Sequence, residues 1–140
     1  CLRAWGKLLE ILGSDPLPRR GFLLHAYGGP AEMVEPFAAL GAYFSFNGYF
    51  LQERKGAQRE VFRSLRADRL LVETDAPAMS LPETCRTHAL PASPDGQPVN
   101  HPANLTATYR ALAELRGVTP EALAAQVEAN FHRLFGPPSV

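Results

Sequence analysis

Three short apolar runs alternate with stretches of helical periodicity along this chain of 140 residues, and this alternation limits the possible folds more than any other feature. The runs occupy residues 21–24, 43–46 and 70–75. Each is rich in aromatic or aliphatic side chains and is followed by turn-forming residues, which is typical of short buried strands. Strands that alternate with helices indicate a parallel sheet, so the sequence predicts an α/β protein with about three parallel strands.

The stretches between and after these runs repeat apolar residues at the three- and four-residue intervals of amphipathic helices. Helices are predicted over residues 2–12, 31–40 and 56–67, between Asn100 and Gly117, and from Thr119 to Leu134. Pro36 should kink the second helix or begin a shorter one. Residues 76–100 contain five prolines and are predicted to form a long irregular connection, a kind of segment that is usually a functional loop.

The charge balance restricts the kinds of partner. Fourteen basic and fourteen acidic side chains cancel, so no overall positive field attracts nucleic acid, and any phosphate recognition must be local. Cys1 and Cys85 form no paired motif, which argues against a zinc ribbon or a disulfide framework and favours free thiols in a reducing compartment. No apolar run is long enough to cross a membrane and no segment resembles a signal peptide, so a cytoplasmic location is predicted.

Two residues with the chemistry of metal ligands follow predicted strands. His25 ends the first run and Asp75 ends the third, and the carboxyl ends of parallel strands are where active sites lie in α/β folds. Glu73 should share a strand face with Asp75 because side chains alternate. An imidazole with a carboxylate is a common ligand pair for zinc, manganese or iron. On the local pattern alone a structural reading stays open, in which Asp75 caps a turn before Pro77 and His25 bonds the backbone.

Other polar residues of chemical interest are interpreted as loop or surface residues. They are the histidines His88, His101 and His132 and the helix-face arginines Arg59, Arg63 and Arg66. A nucleophile pair of Cys85 and His88 is disfavoured because no acid is placed to orient the histidine.

Five segments together resemble one known family. Three of them are similar to the C-terminal signatures of the TatD family of metal-dependent deoxyribonucleases. They are Leu71-Val72-Glu73-Thr74-Asp75-Ala76-Pro77, Asn100-His101-Pro102 and Asn130-Phe131-His132-Arg133-Leu134-Phe135-Gly136. Two earlier segments resemble the family's histidine turn and its next strand: His25-Ala26-Tyr27-Gly28-Gly29 and Gly41-Ala42-Tyr43-Phe44-Ser45. The resemblance covers nearly the whole chain.

The resemblance implies a TIM-type barrel related to the amidohydrolases. Residues 1–140 would be the C-terminal part of that barrel, strands six to eight with flanking helices, and the N-terminal part would be absent. His25 would end strand six and Asp75 strand eight, both as ligands of a divalent metal, zinc, magnesium or manganese, with Asp75 catalytic. Glu73 would act behind the ligands, and Asn100 and Asn130 would be structural. DNA or another phosphodiester would be the substrate.

The sequence departs from the family pattern in ways that bear on activity. The turn after His25 differs from the family's usual Cys-Phe-Ser-Gly type, and the family's paired histidines of strand one, its glutamate ligand and its strand-five histidine are missing. We therefore expect the chain alone to bind metal weakly and to be inactive. The alternative is a noncatalytic barrel fragment or interaction module. Because part of a barrel leaves strand edges unpaired, the missing half or a second copy is the expected partner.

Overall fold

The computed structural model describes residues 3–136, which form an α/β fold with a single three-stranded sheet. In chain order the elements are α1 (Trp5–Ser14), β1 (Phe22–Leu24), α2 (Val34–Ala39), β2 (Ala42–Asn47), α3 (Gly56–Ser64), β3 (Leu70–Glu73), α4 (Leu105–Arg116) and α5 (Pro120–Phe135). The predicted order of helices and strands is confirmed. Cys1 and Leu2, a predicted free thiol and the predicted start of the first helix, lie outside the described residues.

The sheet is parallel throughout, with strand order β1-β2-β3. Phe22 pairs in register with Ala42, and Asn47 at the end of β2 pairs with Glu73 at the end of β3. All three strands therefore finish at the same edge of the sheet. This arrangement brings the segments that follow β1 and β3 to one side of the molecule, as the sequence predicted.

The core lies around β2, every residue of which is buried. Its aromatic side chains pack edge to face on rings from α3 and from the turn after β1, with centroids of Phe46 and Phe62 5.2 Å apart and those of Phe44 and Tyr27 5.0 Å apart. Edge-to-face contacts of this kind add to the free energy gained from burying the rings. The central strand is thus packed against both a helix and the turn that follows β1.

Several helix boundaries differ from the sequence predictions. The first helix continues through Gly13 to Ser14, and the second is α-helical only over Val34–Ala39. Asn100 does not cap the helix after the long loop; the ring of His101 does so, because its Nδ1 accepts a hydrogen bond from the amide of Ala103 at 3.0 Å. The third helix ends at Ser64 rather than near residue 67. Two other predicted helix ends are confirmed. Gly117 ends α4 in the left-handed conformation, and the Thr119 hydroxyl caps α5.

Arg59 is a further correction, since it does not simply face solvent. Its guanidinium donates hydrogen bonds to the carbonyls of Phe50 and Gln52, at 2.9 and 2.7 Å, and so fixes the turn after β2. Arg63 and Arg66 are exposed, as predicted.

The last helix is bound to the start of β3 by one buried amide. Asn130 is fully buried, and its Nδ2 donates to the carbonyls of Ala67 and Leu70 at 2.7 and 2.8 Å. Its Oδ1 accepts from Gln126 and Arg133. Asn130 therefore has the structural role predicted for it. No helix within residues 3–136 is long and apolar enough to span a membrane.

Candidate metal site

The cluster of His25, Glu73 and Asp75 lies at the carboxyl edge of the sheet. His25 directly follows β1, and Glu73 is the last residue of β3. Asp75 is not in the strand, although the sequence predicted that β3 would extend to it. It occupies a turn with φ of 52°, in which its carbonyl accepts from the amide of Ala78 at 2.8 Å. The turn, rather than strand alternation, aims its carboxylate at His25.

Both nitrogens of the His25 ring face a carboxylate. Nδ1 lies 2.7 Å from Oε2 of Glu73, and Nε2 lies 3.1 Å from Oδ1 of Asp75. One candidate ligand atom from each of the three side chains falls within 4.8 Å of the others, and no second group of three is this close within the described part of the chain. His25 is 58% exposed while the two acids are mostly buried, so the site opens to solvent on the histidine side.

The position of His25 is set by the turn behind it. Ala26 has φ of 43°, and its amide donates to the hydroxyl of the buried Ser45 at 2.9 Å, which fixes the histidine to the end of the central strand. Tyr27 is fully buried, and its hydroxyl donates to the carbonyl of Pro30 at 2.9 Å. Gly29 passes against this ring, and a Cβ there would lie 2.5 Å from the Tyr27 hydroxyl. The turn therefore requires glycine and a tyrosine together.

Glu73 is in an environment that disfavours its negative charge. Burial raises the pKa of the Glu73 carboxyl above its usual range, and the nearby Asp75 carboxylate adds to the rise, against the opposing influence of Ser45 and His25. Its Oε1 is buried and accepts no hydrogen bond from the described residues. A buried anion of this kind is costly unless a cation compensates it.

These observations fit a small divalent cation. Two ligand atoms of one tetrahedral zinc ion, each about 2.0–2.2 Å from the metal, lie about 3.3–3.6 Å apart. The separation of His25 Nε2 and Asp75 Oδ1 is slightly shorter, 3.1 Å, so a small rotation of either side chain accommodates an ion. A metal-binding histidine usually donates its other ring N–H to a carboxylate, which is the position of Glu73. An imidazole with carboxylates is a donor set for zinc, manganese or iron.

A chain of buried amides supports the turn that carries Asp75. Asn100 is fully buried, its Nδ2 donates to the carbonyl of Thr74 at 2.8 Å, and its backbone amide donates to Pro77 at the same distance. The Oδ1 of Asn100 accepts from Asn104, also fully buried. The sequence analysis did not identify Asn104. The only feature that could have indicated its role is its position four residues after Asn100, the spacing of one helical turn.

The remaining histidines and Cys85 are not part of this three-residue group. His88 lies in the long loop, with its ring stacked on that of His101. His132 is on α5, 3.8 Å from Glu128. Cys85 is a free thiol, and the long loop contains only one short turn of helix, at Glu83–Cys85.

Comparison with known proteins decides the family. The family model described as TatD related DNase matches residues 1–136. The chain belongs to the TatD family. Among curated TatD relatives, it is 38% identical to a 3'-5' ssDNA/RNA exonuclease TatD of Erwinia billingiae over 140 residues. That alignment covers 99% of the chain and 51% of the relative. The exonuclease TatD of Escherichia coli K12 is 36% identical, with 87% of the chain and 44% of the relative covered.

Solved TatD structures have the same architecture. YJJV, a TatD homolog from Escherichia coli K12, superposes with a TM-score of 0.80 at 30% identity, covering 97% of this chain and 48% of that one. A TatD family hydrolase from Entamoeba histolytica superposes with a TM-score of 0.75 at 17% identity, covering 98% and 50%, which supports the fold alone. The predicted fold class, three parallel strands and flanking helices of a TIM-type barrel, is confirmed. The chain spans about half the length of these TatD relatives.

Proposed function

We propose that this chain carries part of the metal centre of a hydrolase that cleaves phosphodiester bonds in single-stranded nucleic acid. His25 and Asp75 would be the metal ligands, and Glu73 would hold the His25 ring. The observation that carries the proposal is the placement of His25 between two carboxylates, with Nε2 beside Asp75 and Nδ1 beside Glu73. We assign single-stranded DNA or RNA as the substrate class because curated relatives named 3'-5' ssDNA/RNA exonuclease TatD are 32–38% identical to this chain over the aligned residues.

When bound, a zinc, magnesium or manganese ion supplies an activated water molecule and stabilises the charge that develops on the phosphodiester. The chain's own residues would prepare the site. Glu73 accepts the Nδ1 proton of His25 and so leaves Nε2 with a lone pair available to a cation. Asp75 supplies negative charge beside it. Burial of both acids keeps water from competing for their oxygen atoms.

We infer that residues 1–140 are the C-terminal portion of a single barrel, completed by a second half that brings the remaining metal ligands. An exposed apolar surface is an argument for a second half that packs against it. A cavity of about 370 Å³ has an apolar side formed by Leu23, Leu71, Phe131 and Phe135. Its polar side is formed by residues that include Glu73, Glu128 and His132, so the surface reaches the candidate metal site. The two phenylalanines are 48% and 56% exposed, which is unusual for large apolar side chains that lie side by side. Relatives twice as long provide the chain needed to cover it.

The function is tested by restoring a complete barrel. The chain is joined behind the N-terminal half of the Erwinia billingiae relative, and cleavage of a labelled single-stranded oligonucleotide is followed with manganese present. The joined protein should cleave the oligonucleotide, and Asp75→Ala should reduce the rate at least about a hundredfold, since a ligand of the metal is lost. The 140-residue chain alone should show no measurable cleavage. Equal rates with and without Asp75 would rule out the proposed role.

The inferred partner surface is tested by the oligomeric state of the chain. Light scattering after size-exclusion chromatography should show self-association, because exposed apolar rings and unpaired strand edges promote it. Replacing Phe131 and Phe135 by serine should shift the population toward monomer, whereas replacing the exposed Leu90 of the long loop should not. A wild-type chain that is a compact monomer at all concentrations contradicts the inference.

A further inference from the structure

The stacked imidazoles of His88 and His101 form a surface that the proposed metal chemistry does not use. Their ring centroids are 5.1 Å apart and the ring planes differ by 26°. His101 is held by the hydrogen bond from Ala103 that caps the following helix. The His101 ring covers one face of the His88 ring, and the His88 side chain is otherwise exposed to solvent.

The loop that carries His88 is exposed but is fixed by several hydrogen bonds to Asn104. The buried Oδ1 of Asn104 accepts from the amides of Thr87 and His88, at 3.1 and 2.9 Å, and its Nδ2 donates to the His88 carbonyl at 3.0 Å. The Thr87 hydroxyl lies 3.0 Å from Nδ1 of the His88 ring. Backbone and ring are both oriented before any ligand arrives, which reduces the entropy cost of binding.

The same amides connect this loop to the candidate metal site. Asn104 donates to Asn100, and Asn100 donates to the carbonyl of Thr74, which lies between Glu73 and Asp75 in the chain. The His88 loop and the segment that carries Glu73 and Asp75 are therefore held by the same pair of buried asparagines.

A polar cavity of about 300 Å³ adjoins the stack. It is lined by Glu83, Arg86, Thr87, His88 and Ala89, and the guanidinium of Arg86 is held by Glu83 at 3.0 Å. Proteins bind single-stranded nucleic acid by stacking its bases on aromatic faces, often beside a cation. Because Glu83 already pairs with Arg86, stacking on the His88 ring carries the recognition here. With zero net charge on the chain, such recognition has to be local.

We propose that His88, backed by His101, is a stacking platform for an unpaired nucleobase of the strand that enters the metal site. This inference rests on the proposed function for the class of ligand. It assigns no part of the hydrolysis to His88, which would position the strand through its base.

Binding of a fluorescent oligothymidine about eight nucleotides long to the 140-residue chain tests the platform, with EDTA present so that the metal site makes no contribution. His88→Ala should raise Kd roughly fivefold to a hundredfold, the range for loss of one base–aromatic stack. His88→Phe should restore affinity to within about twofold, since it keeps an aromatic face. Leu90→Ala removes an exposed apolar side chain two residues further along the same loop; it is the matched control and should leave Kd unchanged.

An abasic oligonucleotide of the same length separates base stacking from phosphate contact. The wild-type chain and His88→Ala should bind it equally. The proposal is overturned if His88→Ala binds oligothymidine as well as the wild type does, if it weakens the abasic strand by the same factor, or if the wild-type chain binds neither strand. The binding assay contains EDTA whereas the cleavage assay of the joined barrel requires manganese, so loss of stacking and loss of hydrolysis are separate results.

Discussion

In the barrel completed with the N-terminal half of the Erwinia billingiae relative, Asp75→Asn should weaken binding of manganese or zinc by at least about a hundredfold, because the substitution removes the charged oxygen nearest to Nε2 of His25. Isothermal titration of this joined protein after chelator treatment measures the effect directly. Asparagine keeps the size of the side chain and one carbonyl oxygen, so the turn after β3 should persist. The far-ultraviolet circular dichroism spectrum should therefore remain unchanged.

Asp95→Asn is the matched control for this experiment. Asp95 is an exposed aspartate in the same long loop, hydrogen-bonded to Ser93, and its replacement removes the same charge away from the cluster. Metal affinity should be unaffected. If both variants lose metal binding, general charge rather than ligation by Asp75 is responsible. If neither variant loses it, the metal site is assigned to the wrong residues.

Asn130→Ala should have the largest effect on stability, lowering the free energy of unfolding by about 2–4 kcal/mol. The side chain is fully buried and its Nδ2 satisfies two carbonyls, those of Ala67 and Leu70. Removal leaves both acceptors without their partner at the start of β3, where water has no access to Leu70. Urea unfolding followed by circular dichroism measures the difference.

Two further variants separate the hydrogen bonds from the volume of the side chain. Asn130→Asp has the same shape but no amide donor, and its carboxylate would face two carbonyl oxygens, so it should destabilise the chain at least as much as alanine does. Gln126→Ala removes only one donor to Asn130 and should cost about 1 kcal/mol or less. A stable Asn130→Asp variant would show that packing, and not hydrogen bonding, holds α5 to the sheet.

The fold and the position of the cluster could be predicted because they follow from local patterns. Short apolar runs between amphipathic segments specify parallel strands, and parallel strands end at one edge, which placed His25 and Asp75 together. Glu73 was correctly predicted to share their side of the sheet. The face-alternation reasoning for Asp75 was wrong in detail, because the strand stops at Glu73 and a residue with positive φ makes the final turn.

What could not be predicted depends on contacts between segments distant in sequence. Asn100 was read as a helix start because asparagine is a good cap, but burial against Thr74 gives its amide a different partner and leaves the cap to His101. The roles of Asn104 and Arg59 have the same origin, since each bonds to backbone groups that no periodicity identifies. Hydrophobic patterning specifies which faces meet, whereas single buried polar contacts require the coordinates.

The two ends of the segment between His88 and Asn100 are joined to the same amide, that of Asn104. These hydrogen bonds close the loop at its base without any contact from residues 89–99. Each doubling of the length of such a loop raises the entropic cost of closing it by only about 0.6 kcal/mol. New sequence can be grafted between these two anchors without displacing His25, Glu73 or Asp75. Length and composition of this part of the chain can therefore change while the histidine–carboxylate cluster keeps its geometry.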